Sequence, residues 1–165
     1  MPETVANPPF SKEVGDLTFQ LLANCQEKEE RMAGQFGISV PEFRCLRGFR
    51  GRRNAPIGEL AQSLRLSPSR LTRVVEGLER HGYVARTIDP HDRRGVIVTL
   101  TPKGWQQSEE LERRYITMHE EILADIPEEL HQSVVTSLRN LLASLTRWLQ
   151  TSNKDTRRTY EDESE

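Results

Sequence analysis

Twice in this chain a hydroxyl residue is followed directly by proline, at Ser67-Pro68 and at Thr101-Pro102. The hydroxyl can accept an otherwise orphaned amide hydrogen of a first helical turn, and proline brings a preset φ to that turn without wasting a donor. Both pairs therefore read as helix starts. Between them lie two runs rich in β-branched residues, Tyr83 to Ile88 and Val96 to Thr101, separated by Asp89-Pro90-His91-Asp92-Arg93-Arg94-Gly95. Such runs favour pleated strands, so this stretch predicts a helix, a β-hairpin with a charged tip, and a second helix. In a chain of 165 residues that order has to share one core.

The rest of the sequence is helical in period. Val14, Leu17, Leu21, Cys25, Met32 and Phe36 recur at helical spacing, interrupted at Lys28, and predict a long amphipathic helix over 11–37 that Gly37 ends. Residues 1–10, with Pro2, Pro8 and Pro9, read as a flexible arm. Pro41 opens a short helix that places Phe43, Leu46 and Phe49 on one face. Ile57 to Leu64 predicts a compact helix with Leu60, Ala61 and Leu64 inward, and Arg65-Leu66-Ser67 is a tight turn into a helix running from Pro68 to about Gly82. This is a helix-turn-helix layout. After the hairpin, Leu111, Tyr115, Met118 and Ile122 carry a helical stripe. From Pro127 onward Leu130, Val134, Leu138, Leu142, Leu145 and Leu149 form a seam larger than a lone helix can bury. Residues 152–165 lose that period and read as a disordered acidic tail, leaving a single domain over 11–151.

The formal charge of −2 hides a segregation along the chain. Residues 44–94 hold twelve arginines against five acids, whereas 1–43 hold three basic and seven acidic residues and 95–165 hold eight and thirteen. On the helix from Pro68, Leu71, Val74, Val75 and Leu78 form the apolar stripe. Ser69, Arg73, Glu76 and Arg80 fall opposite, with Arg70 and Thr72 at the margins. Short hydroxyls and arginines on a groove-sized helix suit base edges and phosphates of duplex DNA. Ser69, Arg70 and Arg73 are the first candidates for base contact, and Ser67, Thr72 and Arg80 complete the set on this helix. The hairpin tip carries Arg93 and Arg94 beside Asp92, a cationic prong of the kind a narrow minor groove attracts. Arg44, Arg47, Arg50, Arg52 and Arg53 leave three readings open: phosphate contacts, ion-pair partners for the acidic long helices, or a solvated surface.

Other chemistries find little support. Cys25 and Cys45 make no disulfide framework, and His81, His91, His119 and His131 make no ligand pattern, so no metal or cofactor is predicted. Cys25, on the apolar stripe, is expected in the core. No nucleophile with a base and no phosphate-cradling glycine loop appears, so no enzymatic activity is expected. No apolar run of membrane-spanning length and no secretion leader is seen, so the chain is expected in the cytoplasm and off the membrane. Trp105, Tyr115 and Trp148 can pack in a core or interface, or line a pocket for a small aromatic or phenolic effector.

The stretch from Ile57 to Gly104 contains Ile-Gly-Glu-Leu-Ala, Leu-Ser-Pro-Ser-Arg-Leu-Thr-Arg, Gly-Tyr-Val, Asp-Pro-His-Asp-Arg-Arg-Gly and Leu-Thr-Pro-Lys-Gly. In that combination, with Asp92, Arg94, Leu100 and Thr101 at the family's spacing, it resembles the multiple-antibiotic-resistance-regulator (MarR) family. The resemblance implies a mainly α fold with a minor β part. A winged helix-turn-helix over about 40–101 would be flanked by long dimerisation helices over 11–37 and 102–150. It implies a homodimer on a pseudo-palindromic double-stranded DNA operator, with the helix from Ser67 in the major groove, Arg94 in the minor groove and Asp92 paired to it. It further implies a transcription regulator, a repressor released by a small molecule. The alternative is a winged helix that binds a protein partner and has no specific DNA site. Two departures stand out: Arg65 occupies a turn position where relatives often have glycine, and no cysteine lies near Gly15, where peroxide-sensing relatives carry one.

Overall fold

A computed structural model describes residues 8–90 and 95–162, with side chains over 10–90 and 95–151, as one unit up to Arg114 and a second from Tyr115 on. Helix α1 (Pro8–Gln35) starts three residues ahead of the expected Ser11, because Pro8 and Pro9 suit first-turn positions that need no amide donor. Gly37, at φ +65°, lets the Ile38 amide bond back to the Ala33 carbonyl at 3.1 Å and closes the helix. Only the C-terminal end of α1 is packed. Met32 and Ala33 are buried, whereas Val14, Leu17 and Leu21 stay about half exposed. Cys25 is half-buried rather than in the core; the fully buried thiol is Cys45.

Helix α2 (Val40–Gly48) supplies the centre of the first unit, with Phe43, Cys45, Leu46 and the following Phe49 wholly buried. Helix α3 (Ile57–Leu64) turns Leu60 and Ala61 inward, and α4 (Pro68–Arg80) adds Leu71, Val75 and Leu78. Between α2 and α3 runs a strand that the sequence did not announce. β1 (Asn54–Pro56) is three residues long and ends in proline, too short to show a two-residue alternation. β2 (Val84–Ile88) and β3 (Val96–Leu100) form the expected hairpin, in register Val84 opposite Leu100 and Ile88 opposite Val96. β1 pairs with the other edge of β3, Ala55 opposite Val98, giving a three-stranded antiparallel sheet with β3 central.

Helix α5 (Pro102–Ala124) begins as its Thr-Pro signal predicts. The Thr101 hydroxyl accepts the Gly104 amide at 3.0 Å and donates to the Gly82 carbonyl at 2.7 Å. A Cβ on Gly104 would stand 1.8 Å from the Tyr83 carbonyl oxygen, so only glycine lets this turn lie against the foot of β2. In the second unit the α5 helix ends beside His131, whose Nε2 donates to the Leu123 and Ile126 carbonyls at 3.0 and 2.9 Å. Helix α6 (Glu128–Asp162) opens with Glu128 and Glu129 at its positive end. It continues beyond residue 151, where a disordered tail was expected; no proline or glycine interrupts the segment, and a nucleated helix propagates at low cost. Leu138, Leu142, Leu145 and Trp148 along α6 are exposed. No helix among the described residues is long and apolar enough to cross a membrane.

Two features hold α4 in place. Glu42, itself buried, accepts the Ser39 amide and hydroxyl on Oε2 at 2.8 and 2.7 Å. Its Oε1 faces α4, 3.9 Å from His81 Nε2, and comes so near the helix that a Cβ on Gly77 would lie 2.0 Å away. The second feature is the turn between α3 and α4, where Arg65 caps α3 in the left-handed region at φ 53° and ψ 40°. That conformation lets the Leu66 amide reach the Ala61 carbonyl at 3.0 Å, and costs a residue with a Cβ about 1–2 kcal/mol.

Two outcomes are expected. Alanine in place of a helical glycine ordinarily stabilises by about 1 kcal/mol, but Gly77→Ala should destabilise the chain by about 1–2 kcal/mol in urea unfolding as Glu42 is displaced. In a Glu42→Ala background the same substitution should become stabilising. Burial, with the Glu42 carboxylate adding to it, pushes the Cys45 thiol up to about 12. Alkylation at pH 8 followed by mass spectrometry should leave Cys45 unmodified in the folded protein and label it once denaturant is added.

Candidate nucleic-acid interface

Burial of one side of α4 dictates what its other side offers. Ser69, Arg70, Arg73 and Arg80 are exposed and Thr72 is half-buried. All three hydroxyls of this stretch are already engaged with the chain. Ser67 Oγ accepts the Arg70 amide at 3.4 Å and lies 3.3 Å from Ser69 Oγ, while Thr72 Oγ1 donates to the Pro68 carbonyl at 2.9 Å. The Ser67 hydroxyl thus caps the helix, as its proline-flanked position predicts, and Thr72 keeps only acceptor capacity for a ligand. Arg70, Arg73 and Arg80 make no ion pair among the described residues.

The acids of α4 do not oppose this surface unchecked. Arg86, in β2, forms an ion pair with Glu79 at 2.8 Å and lies 4.0 Å from Glu76, tying the wing strand to α4 and offsetting both carboxylates. The sequence reading overlooked Arg86, although a charge inside a β-branched run was the available signal. Lys103 was also overlooked. Its Nζ donates to the His81 carbonyl at 2.8 Å, at the C-terminal end of α4, and stands 4.9 Å from the Tyr83 ring centre. Gly77 announced itself only as an isolated glycine in a helical pattern, a mark of close approach.

The basic run after Ser39 serves the fold. Arg44 pairs with Glu29 of α1, its Nε at 2.8 Å, and Arg47 Nε lies 3.5 Å from Glu112 of α5, so these two serve as ion-pair partners of the long helices. Arg52 pairs with Glu59 at 2.7 Å, and its hydrogen bond holds the Glu59 carboxyl below the usual range, with Arg50 contributing through space. Arg53 sits 4.5 Å over the Trp105 ring. Trp105 is therefore a packing partner. Tyr115 lies 4.2 Å from His119, and Trp148 is exposed. A depression at the turn between α5 and α6, lined by Leu123, Ile126, Pro127 and His131, contains none of these aromatics. Among the described residues no group of His, Cys, Asp and Glu is arranged to hold a metal.

At the wing, the Asp89 amide bonds to the Gly95 carbonyl at 2.9 Å and closes the base of the loop. His91, Asp92, Arg93 and Arg94 lie outside the described residues, so the expected pairing of Asp92 with Arg94 is not seen either way.

Comparison with known proteins gives the same architecture. Residues 38–96 match the MarR family. The chain is 30% identical to the uncharacterized HTH-type transcriptional regulator YhbI of Bacillus subtilis over 68% of its own length and 70% of that protein's. It is 29% identical to the HTH-type transcriptional repressor Mb2911 of Mycobacterium bovis over 55% of its own length and 66% of the relative's. A solved MarR family protein from Bacillus stearothermophilus superimposes with a TM-score of 0.75 at 25% identity, covering 86% of this chain and 99% of the other. The helix-turn-helix, the three-stranded wing and these likenesses lead to one conclusion: the chain belongs to the MarR family of winged helix-turn-helix transcription regulators.

Proposed function

We propose that this DNA-binding transcription regulator reads a pseudo-palindromic operator as a homodimer, each subunit laying α4 in the major groove and its wing in the adjacent minor groove. In this reading Ser69, Arg70 and Arg73 meet base edges, and Arg80 and Thr72 lie along the phosphates. Ser67 fixes the start of the helix, and Arg94, positioned by Asp92 and flanked by Arg93, enters the minor groove. One observation carries the proposal: the arginines are sorted. Those at 44, 47, 52 and 86 are paired with acids, whereas Arg70, Arg73 and Arg80 on the outward side of α4 are left without ion pairs among the described residues. An arginine fork without a partner in the protein is available to guanine or phosphate.

The homodimer rests on uncovered apolar surface. Leu17 and Leu21 on α1, and separately Leu138, Leu142, Leu145 and Trp148 on α6, are exposed in the single chain. Rows of this kind are covered in a stable protein, and a two-fold axis would cover both copies at once while spacing two reading heads. A repressor role, relieved by a small aromatic or phenolic effector that binds one dimer geometry better than the other, completes the reading. The repressor role alone is supported by the name of the Mycobacterium bovis relative.

Selection from a pool of random duplexes should recover an inverted repeat, and sedimentation should give twice the 19.0 kDa chain mass. Arg73→Ala should weaken binding to the selected duplex by about 1–3 kcal/mol, roughly 5- to 150-fold, with an unchanged helical circular-dichroism spectrum. Recovery of no enriched sequence would overturn the operator reading, and unaltered affinity in the variant would remove α4 from the interface.

A further inference from the structure

We infer that Arg65 is a phosphate-contacting residue of the DNA interface, an inference that rests on the reading proposed above. Two residues other than glycine hold a left-handed backbone in the described chain, Arg50 at φ 51° and Arg65 at φ 53°. Arg50 at least has an acid within reach of its charge, which adds the smallest share to what holds the Glu59 carboxyl low. Arg65 has none among the described residues. Its side chain is exposed and makes no ion pair among the described residues, and the turn it caps uses only its backbone. Glycine would perform that backbone task without strain. A strained residue persists where it serves something other than the fold, and here the only thing the side chain adds is a guanidinium.

Its place gives that guanidinium a partner. Arg65 lies two residues before the Ser67 cap and five before Arg70, at the end of α4 that leads into the groove. With Arg70, Arg73 and Arg80 it makes up the arginines from the α3 turn through α4, none in an ion pair among the described residues. A cation at the rim of a groove-bound helix meets the sugar-phosphate backbone, whose charge is the same at every base pair. The contact would therefore raise affinity for any duplex and leave base preference alone.

The test uses the full chain, the duplex selected by the wild type and a scrambled duplex of equal length, with affinities measured across a salt titration. Arg65→Gly is expected to melt at higher temperature than the wild type, because the turn is relieved. It should bind both duplexes more weakly by the same factor, and its plot of log affinity against log salt should be shallower by about 0.9 for each Arg65 engaged. Arg65→Lys should keep the slope, and Arg65→Asn, which tolerates the left-handed backbone, should behave as the glycine variant does. An unchanged slope in Arg65→Gly overturns the inference. So does a loss confined to the selected duplex, which would make Arg65 a base reader, or a lower melting temperature, which would give the side chain a structural role. If the wild type binds neither duplex, the operator reading fails and takes this inference with it; if it binds and only the slope is unmoved, the inference alone fails.

Discussion

The rotation of α4 about its own axis decides what this molecule shows to a partner. Leu71, Val75 and Leu78 are fully buried, and α4 packs on α2, whose Phe43 and Leu46 are equally buried. Each such side chain contributes about 1.5–3 kcal/mol when removed from water. Successive helical residues are set 100° apart, so a shift by one position would expose part of this set and press an arginine toward the core. Burial of an unpaired guanidinium would add a further cost. The outward face of Ser69, Arg73 and Arg80 is thus a consequence of hydrophobic packing behind it.

Around this setting the chain uses polar contacts to fix ends rather than to build bulk. Glu42 joins the start of α2 to the far end of α4 through the opening that Gly77 leaves. Lys103 and Thr101 bind the carbonyls of His81 and Gly82, where α4 passes into the wing, and Gly104 lets α5 begin against Tyr83. One short segment, His81 to Tyr83, therefore serves as the root of the helix, the wing and α5. Arg86 adds a strap from the wing strand back to α4. Displacement at this root would alter the angle between helix and wing.

Electrostatics divides the arginines by context rather than by position in the chain. Residues 44–53 and 65–80 look alike as basic runs, yet the first is largely consumed by Glu29, Glu59 and Glu112 and by the Trp105 ring. The exposed pairs among these contribute little stability individually. Their larger effect is on the field: they remove charge from the flanks and leave a net cationic surface at the turn and outward side of α4.

Much of this was legible from residue order. Helical period, two hydroxyl-proline starts and β-branched runs placed α2, α3, α4, the hairpin and α5 within a few residues, because caps, turns and periodicity are local physics. It was the resemblance to the family, not residue order, that marked Arg65 as an anomaly in its turn. What residue order could not convey depended on partners far along the chain. β1 exists only because β3 offers it a free edge, and Asn54-Ala55-Pro56 has no pattern of its own. Cys25 sits on the apolar stripe and is nevertheless only half-buried, since burial needs a facing surface that this end of α1 lacks in a single chain. Which arginines are paired with an acid, and which are left without an ion pair among the described residues, was a tertiary decision. An ion pair such as Arg44 with Glu29 spans fifteen positions, and the distance between two charges in space cannot be read from their separation in sequence.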